Sequence, residues 1–105
     1  MDLFFKDYRG RTIRFSDERI EHIERHLEMK DFEEHIKETL LTPEKVVRSN
    51  RDRDASLYYR YYFAAKIRGK WLCIVVKDEE DEPFCLTAYF TNKIKKGEVI
   101  WTSST

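Results

Sequence analysis

Apolar residues along this chain change their spacing twice, and each change marks a change of element. Leu3-Phe4-Phe5 and Thr12-Ile13-Arg14-Phe15 stand on either side of Tyr8-Arg9-Gly10-Arg11, which predicts a hairpin turning at Gly10. From Ser16 the spacing becomes helical. Ile20, Ile23 and Leu27 recur at three and four residues, behind Ser16-Asp17 as an N-cap and with Asp17 and Glu18 placed to favour the helix dipole. This predicts a first helix over about 17–29. Lys30-Asp31 interrupts, and Phe32, Ile36, Leu40 and Leu41 mark a second amphipathic helix that Thr42-Pro43 ends.

From Lys45 the period is two. Val46-Val47-Arg48-Ser49 reads as a short strand, Arg51-Asp52-Arg53-Asp54 as a polar turn, and Leu57 to Lys66 as a long strand. Gly69-Lys70 turns the chain into Trp71-Leu72-Cys73-Ile74-Val75-Val76, closed by Lys77. A short run that is apolar on both pleat faces belongs at the centre of a sheet, covered on both sides. The acidic stretch Asp78 to Pro83 turns the chain again, and Phe84 to Thr91 forms the last long strand of an antiparallel meander. Lys93 to Trp101 holds a glycine turn and a short apolar end that docks back on the body. The expected architecture is a single α+β domain over 1–105, with two N-terminal helices packed on a twisted, mostly antiparallel sheet. No internal repeat, linker or low-complexity segment interrupts it.

Charge adds a feature that the total conceals. The formal sum is zero, yet residues 16–44 hold ten acids against four bases and residues 45–70 hold eight bases against two acids. Such blocks fit either a functional basic face or a heavily charged, solvated surface. No stretch has the pattern of a signal peptide or the length of a membrane span, so the expected location is the cytoplasm, without a membrane partner and as a monomer or homodimer. Cys73 and Cys85 lie in apolar runs without metal-ligand spacing, and in a reducing compartment they read as small buried hydrophobes.

Candidate chemistry sits on two elements. On a wheel of about 100° per residue, Ile20, Ile23 and Leu27 form the buried stripe of the first helix, with Arg19, His22 and His26 beside it. Two histidines one turn apart can serve as general acid and base, or can be plain surface residues. A metal site is not expected, since Glu24 and Arg25 give no HExxH pattern and no carboxylate or cysteine cluster has zinc-site spacing. Along the long strand Leu57, Tyr59, Tyr61 and Phe63 share one face, and Tyr58, Arg60 and Tyr62 share the other. Strand 84–91 divides into Phe84, Leu86, Ala88 and Phe90 against Cys85, Thr87, Tyr89 and Thr91. Guanidinium, hydroxyls and aromatic rings are what an RNA-binding or phosphate-cleaving cleft uses, and are equally what aromatic strands present when they bury tyrosine rings and leave hydroxyls at the rim.

Taken together, His22-Ile23-Glu24-Arg25-His26, Leu57-Tyr58-Tyr59-Arg60, Trp71 to Lys77, Thr87-Ala88-Tyr89-Phe90-Thr91 and Ile94 to Trp101 resemble a family of small prokaryotic and phage-associated proteins. That family is grouped with the barnase, EndoU, colicin and RelE-like nucleases (the BECR fold), and the similarity runs from about Phe15 to Trp101. The resemblance implies metal-independent RNA cleavage, without a cofactor, by attack of the ribose 2′-hydroxyl on the adjacent phosphate. It assigns His22 and His26 as acid and base, Arg60 as phosphate clamp, and Tyr59 and Thr91 as supporting groups of the catalytic site. Arg48, Thr87, Tyr89 and Lys95 would bind substrate. RNA is the implied partner, with a protein inhibitor or antitoxin for a toxin-like member. A catalytically silent module of the same fold, binding RNA or a protein through the basic 45–70 block, is the alternative.

Overall fold

A computed structural model of the chain describes residues 1–26, 31–63 and 69–103, the His26 side chain excepted. Within these the chain runs β1 (Leu3–Lys6), β2 (Thr12–Phe15), α1 (Asp17–His26), α2 (Phe32–Leu41), β3 (Lys45–Ser49), β4 (Ala55–Tyr62), β5 (Lys70–Lys77), β6 (Phe84–Thr91) and β7 (Gly97–Thr102). Gly10, at φ 83°, closes the first hairpin with its N–H on the Asp7 carbonyl. Ser16 caps α1 by accepting the Arg19 N–H on its Oγ. The predicted end of the first helix and the predicted end of the long strand, at residues 27–29 and 64–66, lie outside the described residues.

The expected architecture needs correction. All seven strands belong to one mixed sheet in the order β1-β2-β6-β5-β4-β3-β7, and the helices are two elements of ten residues each rather than the N-terminal half of the fold. Two segments account for the difference. The opening hairpin is not a separate preface: Arg14 pairs with Phe84, so β2 lies parallel to β6 and lengthens the sheet. The tail does not merely dock, because Gly97–Thr102 pairs antiparallel with β3 and forms the far edge. Both are non-local pairings, on which the local period of the sequence is silent.

β5 is the fourth of seven strands, and its alternation divides the core. Leu72, Ile74 and Val76 meet Ile23 of α1 and Ile36 and Leu40 of α2 in the main cluster, all fully buried. On the other face Cys73 joins Val47, Leu57 and Tyr59 in a smaller cluster that neither α1 nor α2 covers, and Trp71 and Val75 stay half-buried there. Cover on that side comes from the segment between β6 and β7, whose Ile94 packs on the cluster. A shift of register between Val75 and Val76 moves Cys85 onto the helix side with Ala88, against the alternation expected for this strand. The sheet also coils until residues from its two ends meet: the Tyr8 ring, in the first turn, lies 4.9 Å from Trp101 of β7.

Candidate nucleic-acid interface

The helix-free face gathers several of the sequence-predicted groups. Tyr59 of β4, Cys73 of β5 and Tyr89 of β6 sit side by side in register. The Tyr59 hydroxyl accepts the Lys95 N–H at 3.1 Å, which pins the crossing segment to the sheet, and Lys95 Nζ stands 5.9 Å from the centre of the Tyr89 ring. Thr87, Tyr89 and Thr91 follow one another on this side of β6, and Thr91 Oγ1 accepts the Lys93 N–H to end the strand. Burial raises the pKa of Tyr59 and Tyr89 and pushes the Cys73 thiol, beside both hydroxyls, up to about 11. These groups are therefore neutral donors near pH 7.

Aromatic surface continues outward from this core. The rings of Tyr61 and Trp71 meet edge to face at 5.1 Å, and Tyr59 meets Trp71 at 6.5 Å. Tyr61 is 45% exposed and Phe63, just beyond the strand, 83% exposed. Lys45, Lys93, Lys95 and Lys96 bring positive charge to β3 and to the crossing segment, and among the described residues none of them is held in an ion pair.

The remaining predicted residues lie elsewhere. His22 is exposed on α1, on the helix side, and the His26 side chain lies outside the described residues. Arg60 also faces the helices: its guanidinium donates to the Thr42 carbonyl at 2.7 Å and lies 3.4 Å from Glu38 Oε1. Arg48 donates to the Arg53 carbonyl at 2.8 Å and stands 3.8 Å from both Asp78 and Glu98. Hence Tyr59, Thr87, Tyr89, Thr91 and Lys95 share one face, whereas Arg60 and Arg48 occupy the other at opposite ends of the sheet. Of the six described bases in the 45–70 block, Arg48, Arg53 and Arg60 meet acids from other segments, which shows why summed blocks did not describe the folded surface.

Two clusters went unread in the sequence. On α2, His35 Nδ1 bonds the Asp31 carbonyl at 2.8 Å, a contact that in a neutral ring makes Nε2 the acceptor, and the ring lies 4.7 Å from Tyr62. Tyr62 in turn donates to Glu38 Oε1 at 2.7 Å, beside Arg60. The i, i+3 spacing of His35 and Glu38 was the available signal, and the helical period of α2 drew attention to its apolar stripe instead. At the other end of β4, the buried Asp7 carboxylate accepts from Tyr58 at 2.6 Å and from Arg11 Nε at 3.1 Å, while Arg11 also reaches Asp78 at 2.8 Å. Nothing in the sequence brings these four residues together. Among the described residues no cluster of His, Cys, Asp and Glu is placed to hold a metal ion, and no helix is long and apolar enough to cross a membrane. Compared with family models, with curated proteins and with solved structures, the chain finds no match in any of the three.

Proposed function

We propose that this protein binds single-stranded RNA on the helix-free face of its sheet. The observation that carries the reading is one surface on three adjacent strands, where Tyr61, Trp71 and Tyr89 offer ring faces and edges and Lys95 hangs over the last of them. Unpaired bases stack on such rings whatever their identity, and lysines not held in ion pairs track the phosphates. The Thr87 hydroxyl adds a donor within the same strip, where the Thr91 hydroxyl already bonds the Lys93 carbonyl. Of the four residues that the resemblance implies for substrate binding, Thr87, Tyr89 and Lys95 fall on this face and Arg48 on the other; the three that agree support binding here.

RNA cleavage stands second. In its favour is the cluster of His35, Glu38, Tyr62 and Arg60, in which an imidazole acceptor, a carboxylate and a guanidinium adjoin. Against the histidine pair as the site, Arg60 and Thr91 point to opposite faces of the sheet and do not converge on one phosphate.

Titration of a labelled single-stranded RNA at two salt concentrations tests the first reading. Binding is expected at low salt and falls as salt rises, because bound lysines release condensed counterions. Tyr61→Ala and Tyr89→Ala each cost about 1–3 kcal/mol, or roughly 5- to 150-fold in affinity. Lys95→Ala lowers the salt slope by about one. An absence of binding at low salt refutes the reading, as does binding that neither tyrosine variant weakens. The same mixtures, run on a denaturing gel, read out cleavage; product that persists in His22→Ala and disappears in His35→Ala would move the chemistry to α2.

A further inference from the structure

The two edges of this sheet are not alike. β7 is broken by a register shift against β3, its Glu98 is engaged by Arg48 and Arg53, and its Trp101 is covered by Tyr8. β1 is regular, and among the described residues no strand or helix pairs with its outer side. The direction of its free groups follows from the ladder. The Asp7 N–H bonds the Arg11 carbonyl at 2.9 Å, so Asp7 and Arg11 are a hydrogen-bonded pair, and with the register Phe5 to Ile13 and Leu3 to Phe15 the same phase holds for Phe5 and Leu3. Asp2, Phe4 and Lys6 therefore turn their N–H and C=O groups outward. Their side chains share the helix-free face, since Leu3 and Phe5 pack into the core below. Phe4 is 58% exposed there.

We propose that β1 pairs with β1 of a second copy of this chain, antiparallel and centred on Phe4. Only this register satisfies the free groups and the charges together. Phe4 of each copy exchanges both backbone bonds with Phe4 of the other, and Asp2 of each copy lies directly opposite Lys6 of the other. The two Phe4 rings, exposed in one chain, cover one another. Charge at the flanks stays partly exposed for this: among the described residues Lys6 Nζ has the Gly10 carbonyl, at 3.5 Å, and Asp2 is 38% exposed, with Arg14 at 3.6 Å and the Asp17 N–H on its Oδ1 at 3.3 Å. A centre on Leu3 or Phe5 would lose the facing of Asp2 and Lys6. Because paired side chains fall on the same side, the twofold axis stands perpendicular to the sheet, and the helix-free faces of both copies point the same way. The contact is closed and twofold rather than propagating. It does not depend on what that face binds.

Sedimentation equilibrium over a concentration series reads the assembly directly, and hydrogen exchange reads the register. The chain is expected to pass from monomer to dimer, with protection of the Phe4 and Lys6 amides rising with concentration while the Leu3 and Phe5 amides stay protected throughout. Phe4→Pro, which removes an outward N–H that β2 does not use, abolishes the dimer. Lys6→Glu sets like charges opposite one another and weakens it by about tenfold without touching the ladder of one chain. Val99→Lys, on the other edge, leaves it unchanged. A monomer at every concentration up to about 1 mM, the weak end of specific association, overturns the proposal. So does a dimer indifferent to both β1 variants, or one that Val99→Lys disrupts, or association that grows beyond two copies.

Discussion

Tyr58→Phe isolates one hydroxyl on which the coiling of the sheet depends. Tyr58 is 1% exposed, in the main core, and its ring stays in place in the variant, so the change is confined to one oxygen. That hydroxyl donates to Asp7 Oδ2 at 2.6 Å and accepts from Arg11 at 2.9 Å. The Asp7 side chain is completely buried, and it keeps the Arg11 guanidinium and the Arg9 and Arg11 amides after the change. The carboxylate thus loses one of four donors and keeps the guanidinium beside it. A hydrogen bond to a charged group is worth about 1.5–3 kcal/mol, more than a neutral pair, because the acceptor cannot recover water at a buried site. For a domain of this size the same loss lowers Tm by about 7–14 °C. Urea unfolding followed by far-UV circular dichroism measures it, with the slope expected to stay constant and the midpoint to fall. A loss below about 0.5 kcal/mol, within the range of an inert surface change, would show that the first turn is held by Arg11 and Asp78 alone and that Tyr58 is only packing.

Two further outcomes follow from burial. Ile74→Ala, on the helix side, is expected to cost about 2–5 kcal/mol through lost burial and the cavity left behind, whereas Val75→Ala, half-buried on the open side, costs about 1 kcal/mol or less; equal losses in urea titrations would mean that the second face is covered. Burial raises Tyr58, Tyr59, Tyr62 and Tyr89 above the ordinary value of 10.0, Cys73 to about 11 and Cys85 to about 12 from 9.0. These groups hold their protons more tightly when folded, so their contribution is complete below pH 9 and is lost as pH rises through the unfolded and then the folded values; a midpoint flat between pH 9 and 12 would contradict the burial of these side chains.

Much of the local structure was legible because it is local. Ser16, Thr42-Pro43 and Gly10 marked the ends of elements through capping, a missing N–H and a positive φ, each of which acts over a few residues. The alternation of Leu57 to Tyr62 correctly separated Tyr59 and Tyr61 from Tyr58, Arg60 and Tyr62, and in β6 the same reasoning failed at Cys85, where one extra residue reverses the faces. A bulge of this kind leaves no mark on the period of the strand that carries it. The candidate site was legible in part for the same reason. Residue types on β4 and β6 announced tyrosines, threonines and an arginine, but their assignment to one cleft required two sheet faces to be one.

By itself, then, the sequence determined the segments of both helices and of six of the seven strands, the tail excepted, that Trp71 to Val76 occupies the middle of a sheet, and which side chains share each face of a regular strand. Periodicity and capping are properties of neighbours in the chain, and hydrophobic burial acts on them without reference to topology. Tertiary structure alone decided that Arg14 meets Phe84, that Gly97–Thr102 completes the far edge beside β3, and that the helices cover only one face. It also decided which charges meet: Arg60 goes to Glu38, Arg48 to Asp78 and Glu98, and Arg11 to Asp7 and Asp78. Those pairings join segments as many as 67 residues apart, and the attraction between opposite charges depends on their distance in space, which composition does not contain.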